Sequence, residues 1–124
     1  MNPLAWQLGH IASTQDFVYT LFTGKPGVVP EAVHKTCGNG SPEPTAATRF
    51  PPMSEMWGIL DRTQANMLAL VESSSDADFY RPPATPHPFF PTLGTGILNS
   101  VTNEGYHTGQ IGALRKALGK KRIA

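Results

Sequence analysis

The sequence predicts an all-α domain, and three observations lead there. All twelve prolines lie outside the interiors of three long segments, which are therefore free of the residue that breaks a helix interior. Within those segments apolar residues recur at steps of three and four, the period of one helix face. No stretch alternates apolar and polar residues for long enough to make a strand. At 124 residues the chain supports one domain, residues 1–124, around one hydrophobic core.

The first helix is expected over residues 3–23. Asn2 is suited to the N-cap and Pro3 to the first helical position. Leu4, Leu8, Ile11, Val18 and Leu21 then mark one apolar face, and Gly24 followed by Pro26 marks the stop. The connection 24–52 holds six prolines and is long for a compact domain. Within it Pro30 and Gly38 suit the start and stop of a short helix over 30–37. The second long helix covers 53–73, with Met53, Met56, Trp57, Leu60, Met67, Leu70 and Val71 in helical register. A helical turn over 75–79 follows, capped by Ser74 or Ser75 ahead of an acidic first turn. Five prolines between Arg81 and Pro91 mark the next loop. The third long helix runs over 92–118 and ends at Gly119, with Leu93, Ile97, Ile111, Leu114 and Leu118 on one stripe.

Composition narrows the function. A hydrophobic fraction of 40% and a net charge of +1 describe an ordinary soluble protein. The only basic cluster, Lys120, Lys121 and Arg122, lies at a helix end, where it complements the macrodipole. The charge footprint of a nucleic-acid binder is missing. Cys37 stands alone, so no internal disulfide can form, which fits a reducing compartment. Gln7, His10, Gln15 and Asp16 interrupt the first twenty residues, leaving neither a signal peptide nor a membrane span. The cytoplasm is the expected location.

On a wheel of roughly 100° per residue, Ser100, Asn103, Glu104 and His107 point along the apolar stripe of the third helix. Burying such groups unpartnered costs about 1–3 kcal/mol each, so something must satisfy them. His10, on the flank of the first helix near Trp6, Phe17 and Leu21, is placed to approach His107 and Asn103 if the two helices pack. Asn103 and His107 are four apart and share a face. Imidazoles suit zinc, nickel, iron or copper, whereas an amide oxygen is a weak ligand for them. The alternative is a pair of core histidines bonded to Ser100, Asn103, Glu104 or backbone.

The other candidates have plainer readings. His34 could fold over the site as a replacement ligand or be a solvated loop residue. His87 sits in the extended 86–91 segment, which is expected to cap the bundle with Phe89 and Phe90. Cys37 reads as a small buried residue. Trp6, Trp57, Met56 and Met67 read as core, and Gln110 and Arg115 as support for the site or the helix end. Gly105 and Gly109 each cost about 1 kcal/mol in a helix, and close helix approach beside His107 is the expected benefit.

The segment Asn2-Pro-Leu-Ala-Trp-Gln-Leu-Gly-His10-Ile-Ala resembles the region around the first metal-ligand histidine of the DinB-like (DinB/YfiT) superfamily. Gly105-Tyr-His107-Thr-Gly-Gln110-Ile-Gly-Ala-Leu-Arg115-Lys-Ala-Leu-Gly119 resembles that family's C-terminal histidine segment. The 50–79 stretch resembles the helix leading to its acidic turn. The resemblance implies an antiparallel four-helix bundle, often dimeric, in which three histidines hold a divalent ion with positions open for water or substrate. Two departures stand out. Asn103 occupies the place of the second histidine, and the chain begins at what resembles the family's second helix, giving three long helices where the complete fold has four.

Three functions stay open on this reading. The first is a divalent-metal site, zinc or nickel, on His10, His107 and Asn103, supported by Glu104, Ser100, Gln110 or His34. Such a site would serve a transferase or hydrolase acting on a small thiol adduct or electrophile. The second is a metal-free protein that binds a small molecule or a partner in the core cleft. The third is a structural homodimer, closing an apolar groove expected between the first and third long helices.

Overall fold

A computed structural model describes residues 2–121. It contains helices α1 (Leu4–Thr23), α2 (Glu31–Cys37), α3 (Met53–Ser73) and α4 (Leu93–Ala117), with a 3-10 helix at Asp76–Tyr80 between the last two. No strand occurs among the described residues. The all-α bundle expected from the proline spacing is what forms.

The boundaries have local causes. Proline precedes α1, α2 and α3 at positions 3, 30 and 52, supplying a fixed φ and no donor to leave unsatisfied. Asn2 does not cap α1 with its side chain; its carbonyl instead accepts from Gln7 Nε2 at 2.9 Å. Gly24 ends α1 at φ 67°, a left-handed value that disfavours any residue with a Cβ. Ser75 caps the 3-10 helix and Thr92 caps α4, each in a reciprocal box with the residue three positions on.

The central element is α1. Every residue from Gln7 to Asp16 is buried, polar ones included, because α2, α3 and α4 all pack on it. Near its start Leu8, Ile11 and Ala12 meet Val29, Val33 and Cys37 on one side and Met56, Ile59 and Leu60 on the other. Near its end Val18 and Phe22 meet Met67, Leu70, Phe90 and Leu93. Fully burying one such aliphatic side chain is worth about 1.5–3 kcal/mol. Close approach is made by Gly9 and Gly96: a Cβ at the first would collide with Cys37 and Met56, and at the second would press on Phe22 and Val18.

Several expected contacts are absent. Met53 and Trp57 on α3 are exposed, as is Leu118 past the end of α4, since α3 turns the Met56, Ile59 and Leu60 side towards α1. A Cβ at Gly105 or Gly109 would meet open space, so these glycines serve no close approach. The face of α1 expected to stay open is covered by α2. The groove that does exist lies between α3 and α4, which flank α1 with little direct contact.

Candidate functional site

Between the two apolar clusters the bundle carries a polar layer. Thr63 Oγ1 donates to Gln15 Oε1 at 2.8 Å, and Gln15 Nε2 donates to Glu104 Oε2 at 3.2 Å. Gln64 Nε2 reaches the other Glu104 oxygen at 3.0 Å, so one carboxylate ties α1, α3 and α4 together. Ser100 Oγ donates to the Gly96 carbonyl at 3.0 Å. Glu104 is thereby a bundle fastener, while the Ser100 bond stays within α4.

His10 and His107 do meet. Their ring centroids lie 4.9 Å apart at 63°, and both residues are buried. Trp6 stacks flat on His10 at 4.6 Å and 9°, and meets His107 edge-on at 5.9 Å. Tyr106 flanks the other side of His107 at 5.1 Å. Each imidazole is fixed through Nδ1. His10 Nδ1 donates to the Cys37 carbonyl at 2.7 Å, and His107 Nδ1 donates to Gln110 Oε1 at 3.0 Å. A neutral ring that donates from Nδ1 keeps its lone pair on Nε2. Burial holds His107 below the ordinary histidine range, the neighbouring His10 adds to this, and the Gln110 bond opposes it. His107 is therefore neutral at pH 7 and a free base at Nε2.

Asn103 lies one turn before His107 on the same face of α4, and its Oδ1 is buried with no partner in the protein. That orphaned oxygen and the two imidazoles are the side-chain donors that stand in this part of the core. Imidazole nitrogens bound to outer acceptors are the usual ligands of transition-metal ions, and the amide oxygen is a poor third. Among the described residues no group of three or more His, Cys, Asp or Glu side chains could hold a metal. Two imidazoles and one amide oxygen fall short of the four ligands of a closed structural zinc site.

A cavity of about 720 Å³ opens one helical turn from the pair. Ser13 and Phe17 of α1 form its floor, and Asn103 stands at the end nearest His107. His87 and Phe90 form an aromatic wall, stacked at 4.7 Å and 13°. The 86–91 segment does cap the bundle, with Phe90 buried and Phe89 left outside.

His34 also lines this cavity, but not as a companion to His10 and His107. It lies on α2, and its Nε2 donates to Asp16 Oδ2 at 3.1 Å. In the sequence Asp16 reads only as a polar break in the first twenty residues, not as a site residue. It is the only carboxylate in α1, which holds no lysine or arginine, and that isolation is the available signal. Cys37 is buried and its thiol is pushed up to about 11 by burial, so it contributes its carbonyl to His10 and no nucleophile. Arg115 serves the end of α4, donating to the Lys121 carbonyl at 3.2 Å.

The fold is thus a helical bundle with a buried imidazole pair near an open cavity. The family model of the DinB superfamily matches residues 1–111, most of the chain. The chain belongs to the DinB superfamily. No curated protein matches it. No helix among the described residues is long and apolar enough to cross a membrane.

Proposed function

We propose that this DinB-superfamily protein binds a small molecule in the 720 Å³ cavity and a divalent ion, zinc or nickel, at the end of that cavity. His10 Nε2 and His107 Nε2 are the principal ligands, and Asn103 Oδ1 is the weak third. One observation carries this reading: both imidazoles spend Nδ1 on an acceptor and leave Nε2 without a partner among the described residues. Cavities of this size suit small molecules, and the aromatic wall with a few amides resembles the mix found in such sites. An ion held there would lower the pKa of a bound water or thiol, or polarise a carbonyl, as a hydrolase or transferase acting on a small thiol adduct or electrophile requires. The chain's own part is to hold two buried imidazoles beside Trp6, each fixed through Nδ1.

The incomplete donor set favours a second reading, a metal-free small-ligand protein, and one experiment separates the two. Trp6 touches both histidines, whereas Trp57 is half exposed on α3. In a Trp57→Phe background, without a histidine tag, nickel should quench the remaining indole and saturate near one equivalent. His107→Ala should abolish the quenching. Asn103→His should tighten it at least about tenfold, because a neutral imidazole is a far better ligand than an amide oxygen. A titration with no saturable quenching in any of the three leaves the metal-free reading. We also propose that two copies pair through the α3–α4 groove.

A further inference from the structure

The cavity contains a second chemical device, and it does not depend on the histidine pair. Asp16 is buried on α1, and the 24–30 segment wraps its carboxylate. Val28 N–H donates to Oδ1 at 2.9 Å, and Val29 N–H donates to Oδ2 at 3.2 Å. A Cβ at Gly27 would collide with the same carboxylate, so only glycine lets the chain pass this close. The third donor is His34 Nε2 at 3.1 Å. Its side chain is partly open, and the residue lines the cavity.

We propose that Asp16 and His34 form a general-base dyad serving the cavity, with His34 Nδ1 as the base and Asp16 as the residue that positions it. An ionised carboxylate can only accept, so it fixes the Nε2–H tautomer and leaves the Nδ1 lone pair free. No protein group bonds to His34 Nδ1 among the described residues. The carboxylate stays ionised: burial pushes it up, but the bonds from His34, Val28 and Val29 outweigh that and hold it below the usual range. Other charged groups do not disturb the arrangement. Glu31 and Lys35 pair with each other on the exposed side of α2, at 2.7 Å, and His87 is the one further titratable side chain lining the cavity.

The ligand class follows from the lining. The cavity carries no permanent charge, but Ser13 Oγ and Asn103 Oδ1 line it and are buried without partners. It therefore fits a flat, uncharged molecule that stacks on the His87–Phe90 wall, bonds to these two atoms, and has an acidic O–H or S–H or an attacking water beside His34. In the proton step the O–H or S–H bond breaks, its electron pair stays on oxygen or sulfur, and the proton forms a new bond to His34 Nδ1. Asp16 remains ionised and offsets the charge of the imidazolium.

The inference shares with the proposed function the reading of the cavity as the ligand site and the use of Asn103 Oδ1, so its test is run in excess EDTA, where that oxygen is free for the ligand. The probe is hydrolysis of p-nitrophenyl acetate. Water loses a proton to His34, its oxygen adds to the carbonyl, and p-nitrophenolate leaves. The whole chain should hydrolyse the ester above the buffer rate with a normal solvent isotope effect. His34→Gln, which can still donate to Asp16, should lower that rate at least about tenfold. Asp16→Asn should turn its amide NH₂ towards Nε2 and move the ring proton to Nδ1. Nitrogen NMR reads that tautomer change directly, and a merely structural clamp would not couple it to the rate. Wild-type hydrolysis by His34→Gln would overturn the proposal, as would an Nδ1–H tautomer in the unaltered protein. Failure of the nickel titration alone would leave this dyad standing.

Discussion

Three N–H groups converge on the Asp16 carboxylate, and the consequence is a pH dependence of known sign. Its folded pKa lies below the ordinary 3.8. The unfolded chain therefore takes up the proton first as pH falls, and the stability that Asp16 contributes is complete above about pH 4 and lost on acidification through the folded value. Urea midpoints measured from pH 5 to pH 2 should fall in the wild type and fall less in Asp16→Asn. At neutral pH that variant should be weaker by about 1–3 kcal/mol, because buried donors lose a charged acceptor. Cys37 gives a second check at this scale. A buried thiol pushed up to about 11 should ignore a disulfide reagent at pH 8 in the native state and react fully in urea. The pairing of His10 with His107 was legible in the sequence, because two histidines interrupt two apolar faces. The Asp16–His34 contact was not, because helical periodicity says nothing of where a loop returns.

At the scale of elements the sequence was most informative where one face alone is buried. Both ends of α3 match the expected 53–73, since proline precedes it and its apolar stripe repeats cleanly. The same logic misjudged α1, whose buried stretch runs all round the helix. Gln7, Ser13, Thr14, Gln15 and Asp16 blur any apolar stripe, and Gln15 and Asp16 find their partners in other elements. The glycines of α4 make a sharper test. Gly105 and Gly109 have open space at the Cβ position. Replacing either by alanine should stabilise the protein by about 0.5–1 kcal/mol through helix propensity alone. Gly9→Ala should instead cost about 1–3 kcal/mol, because the methyl group would overpack against Cys37 and Met56. Thermal midpoints of the three variants should therefore move in opposite directions.

For the whole molecule the open question is what covers the α3–α4 groove. Glu104 and its two glutamine partners form part of the lining, and Met67, Val71 and Ile97 line it further. Leu68 is 59% exposed and Val101 62%, both in the groove, and Leu98 on the same helix is 63% exposed. Such a strip of aliphatic surface resembles the inside of an interface more than the outside of a monomer. A second copy is the economical occupant, because two-fold symmetry needs only one self-complementary patch. Each 100 Å² withdrawn from water is worth roughly 2.5 kcal/mol before entropy losses, and a stable pair needs about 800 Å² from each partner. The groove alone is smaller than that, so its rims on α3 and α4 must take part. Ultracentrifugation at micromolar concentration should give about twice the chain mass of 13.4 kDa. Leu68→Glu combined with Val101→Glu should return one chain mass with helix content unchanged, since both side chains lie outside the two core clusters. A wild-type protein that sediments as a monomer across that range, and binds no hydrophobic dye, would remove the dimer from consideration.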